Sequence, residues 1–263
     1  VKRIVVEDGK VSYVETADGS KVHGKNFISN MHPVRTLDMT ESNLIKQAYK
    51  HRVKSLENSI GGFVVNIVFE KNTYPYIKNN FYYIKDGQEW NLTEYNDETW
   101  PSCYAVFCSA SSKSPDYAES MTLLAYMKFD EVKQWADTFN TVSKEEDRGK
   151  DYEAFKKIKA EKLLSLVEER FPGVRKAIKS YYTATPLSYR DYIGNDDGSM
   201  YGIAKDYSNP LKTFISPRTK IPNLYLTGQN LNLHGILGAT MSGLVTSVAF
   251  LGSEDIIEKI RNA

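Results

Sequence analysis

Little in this chain invites metal or covalent chemistry. Among its 263 residues only two are cysteines and four are histidines. Cys103 and Cys108 lie in SCYAVFCSAS, which reads as a strand. A separation of five places them on opposite faces, because side chains alternate along a strand. A shared metal or a mutual disulfide is thereby excluded, and so few thiols fit a reducing, cytoplasmic compartment. His23, His32 and His51 show no ligand spacing. There is no Ser nucleophile elbow, P-loop or Cys-x-x-Cys. Basic and acidic residues nearly cancel, 34 against 33, which argues against a nucleic-acid partner. No apolar run approaches the length of a membrane span, and VKRIVVEDG does not have the pattern of a signal peptide.

What is present is enough apolar sequence for a real core, 41%, with 18 Tyr and 11 Phe. Residues 1–30 read as a three-strand meander turned by Asp8-Gly9 and Asp18-Gly19, since glycine tolerates the positive φ of tight hairpins. The opening is strand-like from Val1, as expected for a piece of a longer protein. A polar helix is expected over 40–60. GFVVNIVFE reads as a strand with Phe63, Val65, Ile67 and Phe69 on one face, and FYYIKDG, SCYAVFCSAS and ESMTLLAYMKF add three more. A short helix follows at 129–139. A longer one at 151–171 has Tyr152, Phe155, Ile158, Leu163, Leu166 and Val167 at helical spacing, broken by Pro172-Gly173. KEEDRGKD before it reads as a solvated loop and helix entry. The expected class is α+β, with a mostly antiparallel sheet and helices.

The richest stretch is IPNLYLTGQNLNLHGILGATMSGLVTSVAFLG, residues 221–252. It reads as buried strand, sharp turn at Gly228, loop, and apolar helix from about Gly238. Gly238, Ala239, Ser242 and Gly243 would leave the first turn nearly free of side chains. Unpaired N–H groups there favour an electron-rich or anionic ligand edge. Packing of helix on strand through small residues explains the same spacing. His234 in the loop is either near a ligand or a structural hydrogen-bonder. Tyr189 and Arg190 line a pocket or pack a turn.

LYLTGQNLNLHGILGATMSG resembles the C-terminal flavin-contacting motif of the phytoene desaturase-like enzymes, which include carotenoid isomerases and retinol saturases, within the amine-oxidase-like flavoprotein superfamily. TPLSYRDYIGNDDGSMYG (185–202) resembles the segment preceding that motif, and the meander ending in ISNMHP resembles the lead into the substrate domain. The resemblance implies that Gly228, Gln229, Gly235, Ile236, Gly238 and Ala239 contact FAD. It leaves His234, Tyr189 and Arg190 as substrate-side candidates and names no catalytic acid–base pair. Gln229 stands where related oxidases often carry an acid.

The superfamily's G-x-G-x-x-G is absent, so an N-terminal dinucleotide-binding half is expected as a missing partner, and the chain by itself is expected to bind no FAD. The implied division is 1–34 as FAD-domain meander, 35–213 as substrate domain and 214–263 as FAD-contacting strand and helix. The implied activity is desaturation, saturation or isomerisation of an apolar polyene or isoprenoid. Peripheral membrane contact and self-association of the chain are further expectations. The alternatives are a non-catalytic module for apolar ligands and, more remotely, an amine oxidase.

Overall fold

Two glycine turns set the opening hairpins. In the computed structural model, which describes residues 1–141, 148–252 and 255–263, β1 (Arg3–Glu7) and β2 (Lys10–Glu15) pair antiparallel. Asp8 and Gly9 both take positive φ between them, the conformation that a two-residue hairpin matched to strand twist requires. β3 (Lys21–His23) adds to β2. β4 (Phe27–Ser29) then runs into α1 (Pro33–Met39), where Pro33 fits the first helical turn and His32 Nδ1 accepts from the Val34 N–H. β5 (Thr40–Glu41) lies parallel to β1, giving the sheet order β3-β2-β1-β5. Of the helix expected over 40–60, only α2 (Gln47–Lys54) forms.

Ile60–Met200 make a second compact unit. It holds β6 (Gly61–Phe69), β7 (Phe81–Ile84), β8 (Cys103–Ser111), β9 (Ser114–Met127), a 3-10 turn (Phe129–Trp135), α3 (Lys150–Arg170), α4 (Val174–Ala177), β10 (Ile178–Ala184) and α5 (Pro186–Ile193). The sheet order is β10-β6-β9-β8-β7, antiparallel throughout. Phe63, Val65, Ile67 and Phe69 all face the core, with Met121, Leu123 and Ala125 beside them and Leu163, Leu164 and Val167 of α3 in the same cluster. Burial of such side chains contributes about 1.5–3 kcal/mol each. Cys108 packs on this core, and the register puts Cys103 on the other face; both are free thiols.

One expectation about α3 and one about the segment before it are corrected. Ile158 is 68% exposed, while Lys159 is buried. The Lys159 ammonium meets Glu131 at 2.6 Å and Asp97 at 3.2 Å and lies over the Trp100 ring. A lysine can enter a core only when its charge is met in this way. In KEEDRGKD, residues 144–147 lie outside the described residues, but Arg148 is not solvated: it is buried in an ion pair with Asp191.

The chain returns to the first unit, Val1–Ser59 with Tyr201–Ala263, through α6 (Pro210–Thr213), β11 (Leu224–Leu226), α7 (Gly235–Leu251) and α8 (Asp255–Arg261). β11 pairs parallel with β4. Ile4, Val11, Leu37, Ile45 and Val53 share one core with Ile203, Ile215, Ile221, Leu224 and Leu231. The Asn223 carboxamide both accepts from and donates to the Val11 backbone, at 2.8 and 2.9 Å. The first compact unit runs to Ser59 and resumes at Tyr201, because α1, α2 and Ile203 bury their apolar residues with β1 and β2. Among the described residues, no helix is long and apolar enough to cross a membrane, and no group of three or more His, Cys, Asp or Glu is placed to hold a metal ion.

Candidate functional site

The stretch 201–243 builds one locked turn around the start of α7. β11 ends at Leu226, and the Thr227 N–H still donates to the Ser29 carbonyl at 2.9 Å. Gly228 follows with φ +96°, and a β-carbon there would lie 1.9 Å from Asn30 Oδ1. Gly202 repeats the device: φ is +71°, and a β-carbon would lie 1.9 Å from Asn230 Oδ1. Each glycine is required twice, by its dihedral and by the amide against its α-carbon. Asn230 Oδ1 also accepts from the Ile203 N–H at 2.9 Å. Gly202 of the GSMYG segment is thus tied to the loop after β11.

The loop's side chains point back onto this frame. His234 stacks on Tyr201, with ring centroids 5.4 Å apart, and donates from Nε2 to the Ile203 carbonyl at 2.7 Å. Burial lowers the His234 pKa, the Ile203 carbonyl opposes this in part, and the charge of Lys205 lowers it further. The neutral tautomer with its proton on Nε2 fits this environment, so His234 has a structural bond whether or not it also meets a ligand. Lys205 donates to the Asn230 and Leu231 carbonyls at 2.8 and 3.4 Å. Burial pushes its ammonium down to about 8. The Gln229 Oε1 accepts from the Gly235 N–H at 3.4 Å, reaching forward to the helix start.

α7 begins at Gly235, three residues earlier than the sequence suggests. Its first turn is Gly235-Ile236-Leu237-Gly238 and carries no acidic residue, and His234 at the N-cap makes no side-chain cap bond. Ile236 is 90% and Leu237 70% exposed, so the turn is not bare of side chains as expected. The buried seam is Gly238, Ser242 and Thr246, spaced by four, and Thr246 Oγ1 donates to the Leu226 carbonyl at 3.0 Å. A β-carbon on Gly238 would sit 2.1 Å from the Leu233 carbonyl oxygen. The chain before the helix folds over Gly238, which gives the residue a packing reason. Ala239 is exposed. Ser242 Oγ and Asn232 Oδ1 are buried and have no partner among the described residues.

Tyr189 and Arg190 lie in the other unit, on α5. Arg190 Nε meets Asp191 at 2.7 Å, Nη1 donates to the Ala136 carbonyl at 2.6 Å, and Nη2 donates to the Thr138 carbonyl. Its guanidinium is committed to holding that loop. Sequence reasoning missed Asn30, Asn230 and Lys205. The glycines they meet or support lie far away along the chain, so no local spacing marks them.

The donor set fits the electron-rich edge of a flavin: first-turn N–H groups at Ile236 and Leu237, the Gly235 N–H being taken up by Gln229, and no acid in the turn. No family model matches the chain. It is 28% identical over 158 residues to an all-trans-retinol 13,14-reductase of Danio rerio, covering 59% of this chain and 23% of that one. It is 35% identical over 107 residues to the human protein of the same name, covering 40% and 18%. With a chloroplastic prolycopene isomerase of Daucus carota it shares 24% over 252 residues, covering 93% and 38%. The chain therefore spans well under half the length of these relatives. The crystal structure of an oxidoreductase from Methanosarcina mazei shares the fold, with a TM-score of 0.52 at 15% identity, over 95% of this chain and 48% of that one. Together with the 223–243 segment, these likenesses support a resemblance to the phytoene desaturase-like oxidoreductases.

Proposed function

We propose that this chain supplies the substrate sheet and the flavin-edge segment of an FAD-dependent oxidoreductase acting on an apolar polyene. The observation that carries the reading is the start of α7, a helix N-terminus without an acid whose N-cap residue makes no side-chain cap bond, framed by Gly228, Gln229, Gly235 and Ala239. The relatives named for retinol and prolycopene support the substrate class. So does the second face of the β10-β6-β9-β8-β7 sheet, where the register lines up Ala184, Val64, Leu124, Ala105 and Tyr82.

In this reading bound FAD accepts or returns hydride or electrons. The first-turn N–H groups of α7 would hold its pyrimidine edge, and Gln229, which braces Gly235, would hydrogen-bond a ribityl hydroxyl. His234, neutral and bound to Ile203, fixes the loop instead of moving a proton. Ile236 and Leu237 exclude water from the site. The sheet's apolar face holds the substrate.

The phosphate half of FAD needs a dinucleotide-binding half that this sequence does not contain. β4 and β11 form only a two-stranded parallel pair, and Ile28 on β4 is 56% exposed. Parallel strands are stable when further strands and covering helices bury them, so the partner half adds a strand beside β4 and covers α7. This chain alone should purify colourless. Joined to that half, it should retain one flavin per molecule. A flavin-free joined protein would overturn the proposal and favour a non-catalytic module for apolar ligands.

A further inference from the structure

The second face of the β10-β6-β9-β8-β7 sheet changes character along its strands. The apolar rung through Val64 and Leu124 is followed, two residues along β6, by Tyr182, Asn66, Thr122 and Phe107. The rung after that is Ser180, Val68, Ser120 and Ser109. Successive rungs lie about 7 Å apart, at roughly 3.3 Å per residue. Val64 and Ala105 of the first rung are buried, whereas Asn66, Val68 and Tyr182 are exposed. Thr122 Oγ1 donates to Asn66 Oδ1 at 3.0 Å, across β6 and β9. Among the described residues the Asn66 amide N–H groups and the Tyr182 hydroxyl have no partner, and the register puts both side chains on this face.

A sheet face that only meets water is expected to carry lysine and glutamate, the residues that most often stay exposed. None of the residues in these three rungs is charged, although Asp, Glu, Lys and Arg make up 25% of the chain. Covering a charge with an apolar molecule costs far more than covering an amide or hydroxyl that finds a hydrogen bond. An uncharged polar rung beside an apolar one is therefore what a neutral ligand with one polar end requires.

We infer that the substrate on this face is a neutral amphiphile, a polyene whose chain lies over the Val64–Leu124 rung and whose uncharged hydroxyl or carbonyl meets Asn66, Thr122 and Tyr182. The inference rests on the polyene reading above and narrows it to oxygen-bearing polyenes, against pure hydrocarbons and polyene acids. The Asn66 amide donates to the ligand oxygen. Asn66 Oδ1, with one lone pair given to Thr122, has a second for a ligand hydroxyl.

The test is binding to the flavin-bearing joined protein, read by quenching of its tryptophan fluorescence. The probes share one polyene skeleton: all-trans-retinol, retinoic acid and the hydrocarbon that lacks the oxygen. Wild type should bind the alcohol about tenfold more tightly than the other two, the gain of one or two hydrogen bonds. Asn66→Leu with Thr122→Val should weaken the alcohol about tenfold and leave the hydrocarbon where it was. Should that protein fail to fold, Tyr182→Phe removes one hydroxyl from an exposed ring and carries the same comparison in the same direction. Equal binding of alcohol and hydrocarbon by the wild type, a preference for the acid, or an equal fall for all three probes in the variant overturns the inference and leaves the polyene reading standing. A joined protein that holds no flavin, or that binds none of the three probes, defeats that reading and the inference together.

Discussion

Replacing Gly238 by alanine separates packing from ligand contact at the centre of the motif. The new methyl would stand 2.1 Å from the Leu233 carbonyl oxygen and 2.3 Å from its carbon. Both atoms are backbone, so no side-chain rotation relieves the clash, and the loop before α7 or the helix itself must move. Overpacking of this kind costs about 1–3 kcal/mol. For a chain of this size each kcal/mol is worth roughly 2–4 °C, so the expected loss in melting temperature is about 2–12 °C. Gly238→Leu should lose more. From the sequence, Gly238 has both a flavin-contact and a packing explanation; the Leu233 carbonyl against it makes stability the first effect. Melting curves with flavin per folded molecule measured alongside give the answer. A Gly238→Ala protein that melts with the wild type would refute the packing argument.

Lys159→Ala leaves Glu131 partly buried without its cation and should cost about 3–5 kcal/mol in denaturant unfolding; Lys159→Met with Glu131→Gln should recover a measurable part. Burial raises the Asp191 pKa, but bonds from Arg190, Arg148 and the Asn140 N–H outweigh it and hold the group below its ordinary value. A depressed carboxylate adds stability above its unfolded pKa of about 3.9 and loses it as pH falls through the folded value. Asp191→Asn should therefore be less stable than wild type at neutral pH, with the gap closing in acid titrations; a gap independent of pH would contradict this. Ile236→Glu with Leu237→Glu should reduce self-association and hydrophobic-dye binding of the chain, as read by sedimentation at rising concentration.

The elements carried by strict periodicity were legible. The alternation in GFVVNIVFE gave β6 and its buried face, and Asp8-Gly9 gave the hairpin. The start of α7 was misplaced because Gly235, at φ +74°, looks like a loop residue although the helix already includes it. The buried stripe of α3 was off by one residue because a lysine looks solvent-facing unless Glu131 and Asp97 are known to meet it. β10 carries KSYYTA without clean alternation, and its partner β6 lies more than a hundred residues away. The glycine–asparagine contacts at Gly202 and Gly228 are likewise long-range or cross-segment, so the site's frame could be seen only after folding.

Backbone hydrogen exchange at Gly235–Gly238, in the flavin-bearing protein and in the same protein stripped of flavin, bears most directly on the proposed site. If the first turn of α7 holds the flavin edge, its amides should exchange markedly more slowly with flavin bound, while amides of the 60–200 unit change little. Flavin that binds at full stoichiometry and leaves exchange at Gly235–Gly238 unaltered would contradict the assignment.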